Sequence, residues 1–119
     1  MSQNDYLTQL RQQHRDDPPR FFRKLLGEFV MNRTDEQMIA EWTERCQVAR
    51  WYAEDALACF QTILDQPPPD LVTIMQQNGW IMLPSAKDAE AVSAQYHDWL
   101  KATLERFQAV FQTTRDARG

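Results

Sequence analysis

From Asp35 to Gln66 the chain contains neither glycine nor proline. A run of that length without a helix breaker constrains the fold more than any other feature. Its apolar residues recur in a heptad. Ile39, Cys46, Ala53 and Phe60 fill one seam position, and Trp42, Ala49, Ala56 and Ile63 fill the other. The pattern predicts one helix over 35–65, roughly 45 Å long at 1.5 Å per residue. Small residues in the middle of the seam allow another helix to approach closely. Trp42 and Phe60 are expected to fill wider gaps at its two ends. Thr34 and Gln37 stand at capping-box spacing before the run, and Pro67, Pro68 and Pro69 close it by removing backbone donors.

The flanking segments read as further helices. Residues 3–15 are polar with one thin stripe, Tyr6, Leu7 and Leu10. Asp17 and Pro18 have the chemistry of an N-cap and a first helical residue, which starts a second helix running to about Asn32. Phe22, Leu25, Leu26, Phe29 and Val30 form its buried face, with Phe21 at the edge. Asp70 is expected to cap a short helix over "LVTIMQQ", with Gly79 as its left-handed stop. "WIMLP" has no second strand candidate to pair with and is expected to be an extended connection. Ser85 and Asp88 are spaced to cap the last helix, expected over 86–113. Its apolar positions run from Ala89 and Val92 through Tyr96, Trp99, Leu100, Leu104 and Phe107 to Val110 and Phe111. "TTRDARG" reads as a frayed tail. Residues 1–119 thus form a single all-α domain with short tails. The expected architecture is a bundle of four to five helices, built on two long antiparallel helices over 35–65 and 86–113.

Charge is unevenly distributed. Residues 1–33 carry six Lys/Arg against four Asp/Glu, 34–66 carry two against seven, and 67–119 carry five against six, for a net charge of -4. A modestly acidic chain suits a basic partner and disfavours nucleic acid, which needs a basic face to displace counterions. Nothing approaches a stretch of ~20 apolar residues, so no membrane partner is expected. No secretory leader is visible in "MSQNDYLTQL". Cys46 and Cys59 lie about 20 Å apart along one helix, too far for a disulfide. The cytoplasm is the expected location.

The residues of familiar chemistries are missing. His14 and His97 are the two histidines, and neither follows a glutamate at the spacing that di-iron bundles use. There is no H-E-x-x-H, no C-x-x-C and no glycine-rich phosphate loop, so neither a metal nor a cofactor is expected. Cys46 sits on the seam as a small buried hydrophobe, whereas Cys59 lies near Tyr52 and Asp55, where a redox or modification role stays open. His97 beside Asp98 reads as a surface pair. An enzyme would have to assemble its residues from several helices.

Two surface features remain. Arg11, Arg15, Arg20, Arg23 and Lys24 form a basic cluster, read first as the solvated face of two helices. On the acidic run, Glu41, Glu44 and Asp55 lie opposite the seam, and Trp51 sits among Val48, Glu54 and Asp55. Tyr52 is then the ring nearer the core and Trp51 points away. Glu44, Val48, Trp51, Glu54 and Asp55 make an acidic face bearing an aromatic, a composition suited to a basic, partly apolar protein. The expected function is a non-catalytic protein–protein interaction module: an adaptor, chaperone, anti-regulator or immunity-type binder. Pairing with its own copy as a homodimer is equally open. One alternative is a small-ligand-binding bundle with an apolar pocket between helices. A third is a nucleic-acid-associated regulator that uses the N-terminal arginines.

Overall fold

The computed structural model describes residues 3–84 and 87–114. The fold is an all-α bundle of six helices among the described residues: α1 (Gln3–Asp16), α2 (Pro18–Phe29), α3 (Asp35–Val48), α4 (Arg50–Asp65), α5 (Leu71–Gly79) and α6 (Ala89–Thr113). Of the proposed tail over 113–119, Thr113 ends α6 and Thr114 caps it, while 115–119, like the proposed cap Ser85, lie outside the described residues. Asp88 caps α6 instead, its carboxylate accepting from the Ala91 N–H at 2.8 Å.

The expected helix over 35–65 is two helices. The chain breaks at Ala49, where φ is -143° and ψ is 67°. No glycine or proline sits there, so the cause is tertiary. The Trp42 and Phe60 ring centroids lie 4.3 and 5.8 Å from that of one residue, Phe107 of α6. In a straight helix residues 42 and 60 are about 27 Å apart. Both rings reach Phe107 only if the helix bends between them. They are therefore not fillers at opposite ends of a seam. The heptad faces are otherwise obeyed: Trp42, Cys46, Ala53, Ala56, Phe60 and Ile63 are buried, with Ile39 and Ala49 partly so.

Two contacts fasten the bend. Arg50, the residue after it, donates to the carbonyls of Phe111 (2.9 Å) and Thr114 (2.8 Å), and its guanidinium lies 3.7 Å over the Phe111 ring. It thereby satisfies carbonyls that the end of α6 leaves free. Further along α4, His97 Nε2 donates to the Leu64 carbonyl at 3.3 Å. With Arg50 at the C-terminal end of α6 and Leu64 near its start, α4 and α6 are antiparallel.

α2 packs against α4 and α5 and supplies Phe22, Leu25, Leu26 and Phe29 to the core. It starts on the expected cap, Asp17 accepting from the Arg20 N–H at 3.3 Å, and ends at Phe29 rather than near Asn32. Arg33 then donates to the Gly27 and Met31 carbonyls and, through Nε, to Glu41 at 2.7 Å. The capping box of Thr34 and Gln37 forms as expected.

At the end of α5 the left-handed residue is Trp80 (φ 52°), not Gly79. Gly79 serves close packing instead: a Cβ there would stand 3.0 Å from Ile81 Cδ1. The run after it is an extended connection, as expected. One hydroxyl, that of Tyr96, holds it, donating to the Ile81 carbonyl (2.9 Å) and accepting from the Leu83 N–H and Gln76 Nε2, both at 3.2 Å. Asp70 precedes α5 without a side-chain capping bond and lies 3.8 Å from Arg23.

Trp42 is fully buried, stacked on Phe107 and edge-on to Phe29, and its indole N–H donates to the Phe107 carbonyl at 2.9 Å. Trp42→Ala is expected to destabilise the fold by about 3–5 kcal/mol. Trp42→Phe, which keeps the stack and loses the hydrogen bond, should cost about 1–2 kcal/mol. Urea unfolding followed by circular dichroism measures both.

Candidate functional site

α1 has little apolar surface to dock with. Tyr6 is exposed, while Leu7 and Leu10 are partly buried. The helix is held by polar chemistry. Arg11 and His14, one turn apart on the same face, both reach Asp55 of α4. Arg11 Nη2 and Nε donate to Asp55 Oδ1 at 2.8 and 3.0 Å, and His14 Nδ1 lies 2.9 Å from Oδ2. Asp55 is only 7% exposed. Its hydrogen bond is the main cause holding the Arg11 guanidinium above its ordinary pKa. The His14 ring is itself clamped. It stacks on Phe21 at 3.7 Å with the planes 1° apart and meets Tyr52 edge-on at 5.6 Å.

This arrangement removes Asp55 from the acidic face expected from the sequence: it is an internal residue of an ion-pair network. Glu54 remains exposed and shares Arg11 Nη2 at 3.4 Å. Trp51 is half-buried against the core, with Tyr52 edge-on at 5.6 Å. Tyr52 is the core ring, as expected. Its hydroxyl reaches both carboxylate oxygens of Glu28 at 2.8 Å, and Arg45 lies 4.8 Å over its face. Burial first, and the Glu28 contact second, push the Tyr52 hydroxyl well above the usual phenol range.

Glu44 and Val48 stay outside. Val48, the last residue before the bend, is 68% exposed. Both line a groove of about 400 Å³ between α2 and α3, together with Glu28, Phe29, Glu41 and Arg45. Glu41 is paired with Arg33 and Glu28 with the Tyr52 hydroxyl, whereas Glu44 has no ion-pair partner among the described residues. The bend thus divides the five expected residues. Glu44 and Val48 face one groove, Trp51 and Glu54 lie beyond the bend, and Asp55 is inside.

The basic cluster is also divided. Arg11 is committed to Asp55 and Glu54, Arg23 lies 3.8 Å from Asp70, and Lys24 lies 3.8 Å from Glu28. Arg15 and Arg20 remain exposed. His97, expected on the surface, is half-buried against α4. Both cysteines are buried. Burial pushes the Cys46 thiol up to about 11 and the Cys59 thiol up to about 12, and Cys59 Sγ–H donates to the Pro18 carbonyl at 3.3 Å. Among the described residues no group of three or more His, Cys, Asp and Glu side chains could hold a metal ion, and no helix is long and apolar enough to cross a membrane. The Asp55–His14–Arg11 network escaped the sequence reading because Asp55 lies more than 40 positions from both of its partners. The one available signal was the i, i+3 spacing of Arg11 and His14. Comparison with known protein families, with curated proteins and with solved structures finds no match to this chain.

Asp55→Ala leaves His14 buried without its partner and is expected to destabilise the fold by about 3–5 kcal/mol. Glu54→Ala, which removes an exposed carboxylate from the same arginine, should change stability by less than about 0.5 kcal/mol. Thermal and urea unfolding of the two variants checks the contrast. The thiols make a second prediction. Their pKa values rise from 9.0 on folding, so the native state holds those protons more tightly. That contribution is complete below pH 9 and is lost as the pH climbs towards 11 and 12. A disulfide reagent at pH 8 should therefore titrate both thiols readily in denaturant and only slowly in the native protein.

Proposed function

We propose that the chain is a non-catalytic protein–protein interaction module whose docking surface is the acidic groove between α2 and α3. The observation that carries this reading is the pairing of Glu44 with Val48. A carboxylate with no ion-pair partner among the described residues stands beside an apolar side chain 68% exposed, at the lip of a groove that also holds Glu28 and Glu41. A partner presenting a lysine or arginine next to an apolar residue matches both features. Arg45 lines the same groove and brings one positive charge, against the three carboxylates Glu28, Glu41 and Glu44. A second copy would bring the same acidic groove and meet like charge, so the reading favours a basic foreign protein over a homodimer. Adaptors, chaperones, anti-regulators and immunity-type binders all work this way. The reading puts the module in a reducing cytoplasm, which two free thiols support.

The double variant Glu44→Lys, Val48→Asp tests it. Both positions are exposed, so the fold should persist within about 0.5 kcal/mol. Affinity for the captured partner, measured by calorimetry, should fall by about 100-fold, and added salt, which weakens binding of the original chain, should weaken binding of the variant less. A partner that binds the double variant as tightly as the original chain refutes the groove as the docking surface. Light scattering that shows a dimer broken by the same variant would transfer the groove to self-association.

A further inference from the structure

We propose that α1 is a hinged arm that opens as a unit about Asp17, and that in its closed position it masks the Asp55 carboxylate and the Cys59 thiol. The opening does not depend on what occupies the α2–α3 groove.

The hydrophobic core and the partly buried apolar side chains packed on it come from α2 to α6 and the connections between those helices. α1 supplies none of them, and His14 is its one buried side chain among the described residues. The helix packs on α2 and α4 and does not reach α3 or α6. A polar staple fastens it to α4: Arg11 and His14 on Asp55, with Glu54 sharing Arg11. Elements with few buried apolar contacts are the ones that open before the whole chain unfolds. A staple of charges also opposes release only weakly, because Arg11 and Asp55 regain on separation the hydration they gave up.

Three features ease the opening. Asp17 between the two helices has φ -137° and ψ 77°, and Pro18 and Pro19 carry no N–H with which α2 could continue the ladder of α1. The helices are therefore separate rods joined at one residue. Cavities of about 330 and 150 Å³ border the arm, and His14 lines both, so the arm is not close-packed on its seat. His14 Nε2 is buried without a hydrogen-bond partner among the described residues, a penalty that water removes once the arm lifts.

The smaller cavity shows what the arm covers. His14 and Arg15 of α1 form one wall of it, and Asp55 and Cys59 of α4 form another. Lifting the arm admits water to Cys59, which is 5% exposed when the arm is closed. It also frees Glu54 and Asp55, neighbours on α4, from the arginine they share. The closed arm is thus a built-in basic partner for two carboxylates.

The two thiols report the opening, because the arm borders Cys59 and does not reach α3, which carries Cys46. The full chain is treated with a disulfide reagent at pH 8 over a urea series below the unfolding transition. Mass spectrometry reads each site, and each rate is taken relative to that of the same thiol in denaturant. Cys59 should be labelled at least about tenfold faster than Cys46. Urea should speed Cys59 slightly and Cys46 steeply, since sensitivity to denaturant scales with the surface exposed. Arg11→Ala removes part of the staple without touching the wall of the smaller cavity. It should speed Cys59 by about another tenfold, the effect of losing hydrogen bonds between charged groups. The amides of α1 should exchange through the same opening, ahead of those of α3 and α6. Equal relative rates with one urea dependence mean that arm and bundle unfold together, and overturn the proposal. A Cys59 rate that a folded Arg11→Ala variant leaves unchanged overturns it too, because something other than the arm then covers the thiol. The comparison of the two thiols needs no variant, so a misfolded Arg11→Ala still leaves a decisive result.

Discussion

The phenyl ring of Phe107 is the point on which this bundle turns. Trp42 stacks on one side of it and Phe60 leans on another, and the two come from stretches that a straight helix would hold far apart. Burying a large apolar side chain contributes about 1.5–3 kcal/mol. Bending the helix forfeits backbone hydrogen bonds at Ala49, where no side chain caps the first turn of α4. Each such bond is worth about 0.5–1.5 kcal/mol net. Two aromatic side chains in a shared core outweigh that loss. Arg50 then closes the open end of α6 from the first position after the bend, so the bend and the helix terminus stabilise one another.

The bend determines where the acidic residues go. α4 leaves Ala49 in a direction that carries Asp55 beneath α1, where Arg11 and His14 meet it. A buried carboxylate is tolerated only when its oxygens are well bonded, and here both are. The same geometry commits part of the charge that the sequence displays. Glu41 and Glu54 each share an arginine, Asp55 is internal, and Arg11 leaves the basic cluster. Asp55 is the one acidic residue of 34–66 that is buried, while Asp35, Glu36, Glu44, Glu54 and Asp65 stay exposed. Glu44 differs from the other exposed ones in lining the α2–α3 groove beside exposed Val48.

The sequence made legible whatever depends on local period and local chemistry. The heptad identifies six of the buried residues of α3 and α4, though not Met38, Asp55 or Cys59, the caps at Asp17 and Thr34 form as read, and Tyr52 rather than Trp51 is the core ring. What it concealed is set by contacts distant along the chain. The break at Ala49 has no breaker residue, because its cause lies in Phe107. The left-handed turn falls on Trp80 because Ile81 packs over Gly79 and needs that Cβ absent. Among the proposed site residues, Glu44 and Val48 were readable from helical phase alone. Asp55 was not, since the same phase that points it away from the seam also points it at a third helix. His14 carried no motif, so its role emerged only from its partners.

Tyr52 joins the buried Asp55–His14 network to the α2–α3 groove. Its ring meets the edge of His14, and its hydroxyl reaches Glu28, a wall of the α2–α3 groove. Arg45 presses on the same ring from the groove side. The aromatic cluster is packed on every side, so Tyr52 has little freedom to adopt intermediate positions. Trp51 and Tyr52, neighbours in the sequence, thus divide by role: Trp51 packs on the core from outside, and Tyr52 stands between the Asp55–His14 network and the groove.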